Sequence, residues 1–110
     1  MLPYQDADCL QLVLARLVER LAPEEIWLFG SRAEGRARPD SDYDLLAILP
    51  NDAKDADLDP VSAWMIVRRL GLPVDVVPYR RAEFEEEKLE IDTLARAAFL
   101  RGRRIYERPA

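Results

Sequence analysis

The sequence predicts an α/β (α+β) domain in which one mixed β-sheet of about four strands is covered by helices. Three observations predict it. Short apolar runs of strand length alternate with stretches whose apolar residues recur at helical spacing. The connections between them are short, with no repeat, low-complexity tract or dividing linker, so residues 1–110 read as a single domain. A chain of this length buries roughly two-thirds of its unfolded surface, enough for one core.

Asp6 to Ala22 reads as an amphipathic helix with Leu10, Val13, Leu14, Leu17, Val18 and Leu21 on one stripe, ended by Pro23. Cys9 borders that stripe and is expected to serve as a small core side chain. "EIWLFG" is a strand closed by Gly30, and Trp27 and Phe29 are expected in the core. Ser31 to about Arg36 is expected to form a short helix with Ser31 near its N-cap. Pro39 keeps "ARPDS" a loop. "DYDLLAILP" is the second strand, stopped by Pro50, and "NDAKDADLD" an acidic surface loop. Asp59 as N-cap and Pro60 as first residue open a second helix, expected to run to Leu70 and stop at Gly71, with Trp64 in the core. "PVDVVPY" is the third strand. Arg81 to Arg101 is expected to be one helix, with Phe84, Ile91, Leu94, Ala95 and Ala98 on a shared face. "RRIYER" closes the chain as a short strand.

Composition narrows the chemistry. The chain has no histidine and one cysteine, Cys9. Ser-His-Asp and Cys-His sites are therefore excluded within it, as are His-containing and Cys-only zinc sites. Carboxylates, lysines, hydroxyls and hard metal ions remain, and carboxylate clusters suit Mg²⁺ and Mn²⁺. The net charge of −5 argues against general nucleic-acid binding. No apolar run reaches the roughly 20 residues that cross a bilayer, so no membrane association is expected. The N-terminal "MLPYQDADCL" lacks a signal-peptide pattern, and one cysteine fits a reducing cytoplasm, the expected location. The acidic run "EFEEEKLE" and the basic segment Arg101, Arg103, Arg104 and Arg108 read first as solvated charge.

Asp42 and Asp44 are two apart at the start of a strand, so their side chains share one face, while Leu45, Ala47 and Leu49 turn to the other. Two adjacent carboxylates repel and lose hydration, a cost that a divalent cation between them removes. Asp75 interrupts the apolar "PVDVVP" and completes a cluster of three carboxylates if its strand lies beside that of Asp44. Such a cluster can hold two metal ions for in-line displacement at phosphorus. Gly30 lets the backbone approach a phosphate closely, Ser31 adds a hydroxyl donor and Arg32 a cation. Asp40-Ser41-Asp42 also spells Asp-x-Asp. The apolar alternation of Tyr43 and Leu45 favours Asp42 and Asp44, and Asp40, after Pro39, reads as loop.

Gly30-Ser31, ten residues, then Asp42-Tyr43-Asp44, with Asp75 in a later strand, resembles the signature of the nucleotidyltransferase superfamily that includes DNA polymerase beta. The likeness spans about Ile26 to Tyr79 and looks like the minimal nucleotidyltransferases of prokaryotes. It implies the small nucleotidyltransferase fold and two Mg²⁺ ions (Mn²⁺ as an alternative) with ATP as substrate. Gly30, Ser31 and Arg32 would bind nucleotide; Asp42, Asp44 and Asp75 would be catalytic and hold metal. An acceptor hydroxyl would attack the α-phosphorus and release pyrophosphate. The resemblance also implies an antitoxin whose partner is an all-helical toxin of the HEPN class, modified with AMP on a tyrosine, in a homo- or hetero-oligomer. A non-catalytic module that neutralises such a partner by covering it is the alternative; transfer to a small molecule or RNA is disfavoured because little chain remains for a second pocket.

Overall fold

The computed structural model describes residues 5–110; Met1–Tyr4, part of the segment read as lacking a signal-peptide pattern, lie outside the described residues. The strands are β1 (Glu25–Phe29), β2 (Tyr43–Leu49), β3 (Val74–Arg80) and β4 (Arg103–Glu107), and the helices α1 (Gln5–Leu21), α2 (Pro60–Val67), α3 (Arg81–Glu87) and α4 (Leu94–Arg101). They build one mixed sheet in the order β3-β2-β1-β4. β2 pairs antiparallel with β1 and parallel with β3, and β1 pairs antiparallel with β4. The expected α/β (α+β) fold with a mixed four-stranded sheet is the one found.

The sequence of β2 explains its place in the middle. A strand covered on both faces needs apolar residues at every position. In "YDLLAIL" only Asp44 escapes burial. Tyr43, Leu45, Ala47 and Leu49 enter the core beneath α1 and α2, with Val13, Leu17, Ala63 and Val67. Leu46 and Ile48 enter a second cluster on the opposite face, with Phe29, Tyr79, Phe84, Ala95 and Ala98. Full burial of a side chain such as Phe84 contributes about 1.5–3 kcal/mol.

α2 begins as its sequence dictates. The Asp59 carboxylate accepts from Ser62 N–H at 3.2 Å and Ser62 O–H at 2.8 Å, and Pro60 occupies the first turn. It ends at Val67, earlier than expected. Arg68 is already extended and Arg69 adopts φ +69°, so the chain turns before Gly71. Gly71, at φ +96°, packs its Cα against the half-buried Cys9.

Two expected helices do not form as read. Ser31–Arg36 is not a helix. It is a run of turns in which Ala33 and Glu34 N–H both donate to Gly30 O at 3.1 Å and Arg36 N–H to Ser31 O at 3.0 Å. Gly35, at φ +74°, stops propagation after a single turn, so Ser31 caps no helix. Nor is Arg81–Arg101 one helix. It breaks at residues 88–93, where Asp92 takes φ +65° and Thr93 caps α4 by accepting from Arg96 N–H at 3.1 Å. Phe84, Ala95 and Ala98 keep their core positions, but Ile91 is 80% exposed and Leu94 lies at the surface. Trp64 is likewise outside the core, at 43% exposure, and Trp27 is half-buried with its indole N–H donating to Glu25 at 2.8 Å.

The Thr93 hydroxyl also donates to Glu87 O at 2.8 Å, so one side chain both starts α4 and closes α3. Thr93→Ala is expected to lower unfolding stability by about 1 kcal/mol, measured by urea titration; an unchanged midpoint would refute this double role.

Among the described residues no helix is long and apolar enough to cross a membrane.

Candidate active site

The carboxylates are placed by strand register. β2 and β3 run parallel with Asp44 and Asp75 as direct Cα partners. On the other side Asp44 partners Phe29, the last residue of β1. Asp42 lies one residue before β2, exposed, and Tyr43 N–H donates to Pro73 O at 2.8 Å, tying the entry of β2 to that of β3. Thus Asp44 sits on a strand, Asp75 on its neighbour, and Asp42 at the loop end beside them. Asp40 is exposed in the preceding turn.

Electrostatics couples the group. Asp44 holds its proton to higher pH than an ordinary aspartate, first because of burial, then because of the charges of Asp75 and Asp42. A cation among these oxygens would oppose all three effects. Asp42, Asp44 and Asp75 are therefore the residues that could hold a metal, and their hard oxygen donors fit Mg²⁺ or Mn²⁺. Among the described residues no three His, Cys, Asp or Glu side chains are already gathered around one metal position. Strand register fixes the backbones of Asp44 and Asp75, so rotation of the Asp75 side chain, together with adjustment of Asp42 at the loop end, would draw the exposed carboxylates onto a shared ion.

Gly30 is required by the same carboxylate. Its φ is +76°, and a Cβ built there would lie 2.4 Å from Asp44 Oδ2. The bare Cα lets the turn and the carboxylate occupy adjoining space. Ser31 follows, half-buried, at the head of the turn. Arg32 turns back along the loop. Its guanidinium lies 4.4 Å from the Tyr43 ring centroid and donates to Ser41 O at 2.9 Å and Pro39 O at 3.3 Å. Ser41 Oγ in turn accepts from Arg38 N–H at 2.8 Å. Arg32 thereby clamps the backbone that carries Asp42, a role that spacing alone does not reveal.

A cleft of about 590 Å³ opens beside the carboxylates, with Asp44 and Asp75 in its lining. Its other walls include Phe29, Val77, Val61 and Trp64 from α2, and Leu94 from α4. The sequence reading missed these walls. The helical register held only part of the signal: Ala63 and Val67 face the core, and Trp64, one residue on from Ala63 but three before Val67, falls at the border of that face, where it is 43% exposed.

The nucleotidyltransferase domain family model matches residues 10–105. A candidate nucleotidyltransferase from Sulfolobus solfataricus shares the fold with a TM-score of 0.53 at 22% identity, covering 98% of this chain and 91% of that one. A toxin–antitoxin structure with AMP-PNP shares it with a TM-score of 0.56 at 21% identity, covering 89% of this chain and 73% of that one. No curated protein gives a significant match.

Proposed function

This chain belongs to the nucleotidyltransferase domain family, and from that premise we propose that it transfers AMP from ATP to a hydroxyl of a partner protein, a tyrosine of a helical HEPN-class toxin for which it is the antitoxin. The observation that carries the chemistry is the place of Asp44 in β2, which the pairing with β3 sets beside Asp75 and the pairing with β1 sets against Gly30. The toxin–antitoxin structure with AMP-PNP, which has this fold, supports the choice of partner and of nucleotide.

In this reading Gly30 and Ser31 receive the triphosphate, the glycine by close backbone approach and the serine through its hydroxyl. Arg32 adds positive charge at the same turn while holding the Asp42 loop. Asp42, Asp44 and Asp75 hold divalent metal, Mg²⁺ or Mn²⁺. When bound, that metal lowers the pKa of the acceptor hydroxyl and neutralises charge on the triphosphate. Asp75, exposed and beside Asp44, accepts the hydroxyl proton. The hydroxyl oxygen bonds to the α-phosphorus, the bridge to the β-phosphate breaks, and pyrophosphate leaves. No histidine is needed, in keeping with a chain that has none.

The test is ATP labelled at the α-phosphate, with Mg²⁺, added to an extract of cells that make the protein. Label is expected in one protein band. Label confined to RNA or to a small molecule would overturn the protein acceptor. A stable complex with a helical partner that never takes up label, even after the purified partner is treated to remove existing modification, would favour neutralisation by binding alone.

A further inference from the structure

The cleft that adjoins the carboxylates has a chemical character of its own. Apart from Asp44 and Asp75, its lining side chains are aliphatic or aromatic. Gly30 and Ser31 do not line it, and its polar end is the Asp44–Asp75 pair, with Asp44 lying against Gly30, so a donor whose triphosphate lay on that turn would have its α-phosphate at this end of the cleft. The part of a nucleotide continuous with that position is the nucleoside. Trp64 forms one wall, 43% exposed, and the Arg68 guanidinium lies 5.8 Å from the centre of its ring. Phe29, Val61, Val77 and Leu94 complete an apolar slot.

We propose that this cleft holds the base of the donor nucleotide by stacking on Trp64, and that it selects purines over pyrimidines without telling adenine from guanine. The inference rests on the nucleotidyl-transfer reading. Stacking strength grows with the area of the π-face, which favours the two-ring bases. Discrimination between adenine and guanine depends on side-chain donors and acceptors matched to the base edge, and the slot walls carry only the Trp64 indole N–H besides the two carboxylates.

The experiment is calorimetric binding of the α,β-methylene analogues of ATP, GTP, CTP and UTP with Mn²⁺. Inorganic tripolyphosphate, which lacks a base, serves as reference. The wild type is expected to bind both purine analogues within about threefold of each other and about tenfold tighter than the pyrimidine analogues, within the range of one base–aromatic stack. Trp64→Ala should bring the purines down to the affinity of tripolyphosphate, and Trp64→Phe should restore most of the difference. Equal binding of all four analogues, or purine affinity unmoved in Trp64→Ala, would overturn the base assignment while leaving the phosphate and metal site standing. Absence of any binding, tripolyphosphate included, would take down the nucleotidyl-transfer reading with it.

Discussion

Asp42→Asn combined with Asp44→Asn is expected to lower transfer of α-phosphate label by at least about a thousandfold, equivalent to about 4 kcal/mol in the barrier. Asn keeps the shape of Asp and removes the charge that holds a hard cation. The single change Asp44→Asn should, without metal, act in the opposite direction on stability. Burial and the charges of Asp75 and Asp42 raise the Asp44 pKa above its ordinary 3.8. Between that value and the raised one, the folded protein binds more protons than the unfolded chain, so this contribution to stability falls as pH rises through the window. Asn at this position cannot titrate and removes that decline. Urea titrations in a chelator, from about pH 4 to about pH 7, should show Asp44→Asn gaining on the wild type as pH increases. A variant inactive and also less stable at neutral pH would mean that Asp44 is a structural residue. A loss of activity with stability kept or raised assigns the carboxylate to function.

The residues behind these predictions are legible in the sequence because they break a pattern. Asp44 and Asp75 stand out as the lone carboxylates of two largely apolar strands, and the parallel pairing that unites them suits a strand-helix-strand order. Gly30 is legible as the close-approach residue, though its partner, the Asp44 carboxylate, is not. The expectations that fail are continuations. The apolar spacing from Arg81 to Arg101 suits a helix throughout, yet Asp92 enters the left-handed region that aspartate tolerates, and Thr93 caps α4 as a separate helix. Asp92-Thr93 is the signal that marks the break. Ser31–Arg36 has helical composition, but Gly35 ends it within a turn. Residue type alone assigns Trp64 to the core, whereas the helix sets it at the border of the inward face of Ala63 and Val67, and only the folded chain shows that this border lines the cleft. Arg32 shows a different limit: its hydrogen bonds run to the carbonyls of Pro39 and Ser41, which only the folded loop brings within reach.

Gly30→Ala should separate the geometry of the site from the strain of its backbone, with Gly35→Ala as its control. Both glycines hold positive φ, +76° and +74°, so alanine at either carries a left-handed penalty of about 1–2 kcal/mol. They differ in what a Cβ would meet. At Gly35 nothing lies within 4 Å, whereas at Gly30 the Cβ would be 2.4 Å from Asp44 Oδ2. The obstructing atom is the end of a side chain, so the fold can yield by swinging the carboxylate aside. That swing displaces Asp44 from Asp75 and Asp42 and intrudes on the turn assigned to phosphate. Both variants should therefore lose stability to a similar extent, while only Gly30→Ala loses transfer activity, by about a hundredfold, as expected when a reacting group shifts by an ångström. Equal activity in the two variants would show that the approach of Asp44 to Gly30 has no part in the reaction. Unequal activity at equal stability ties the glycine to the carboxylate it makes room for.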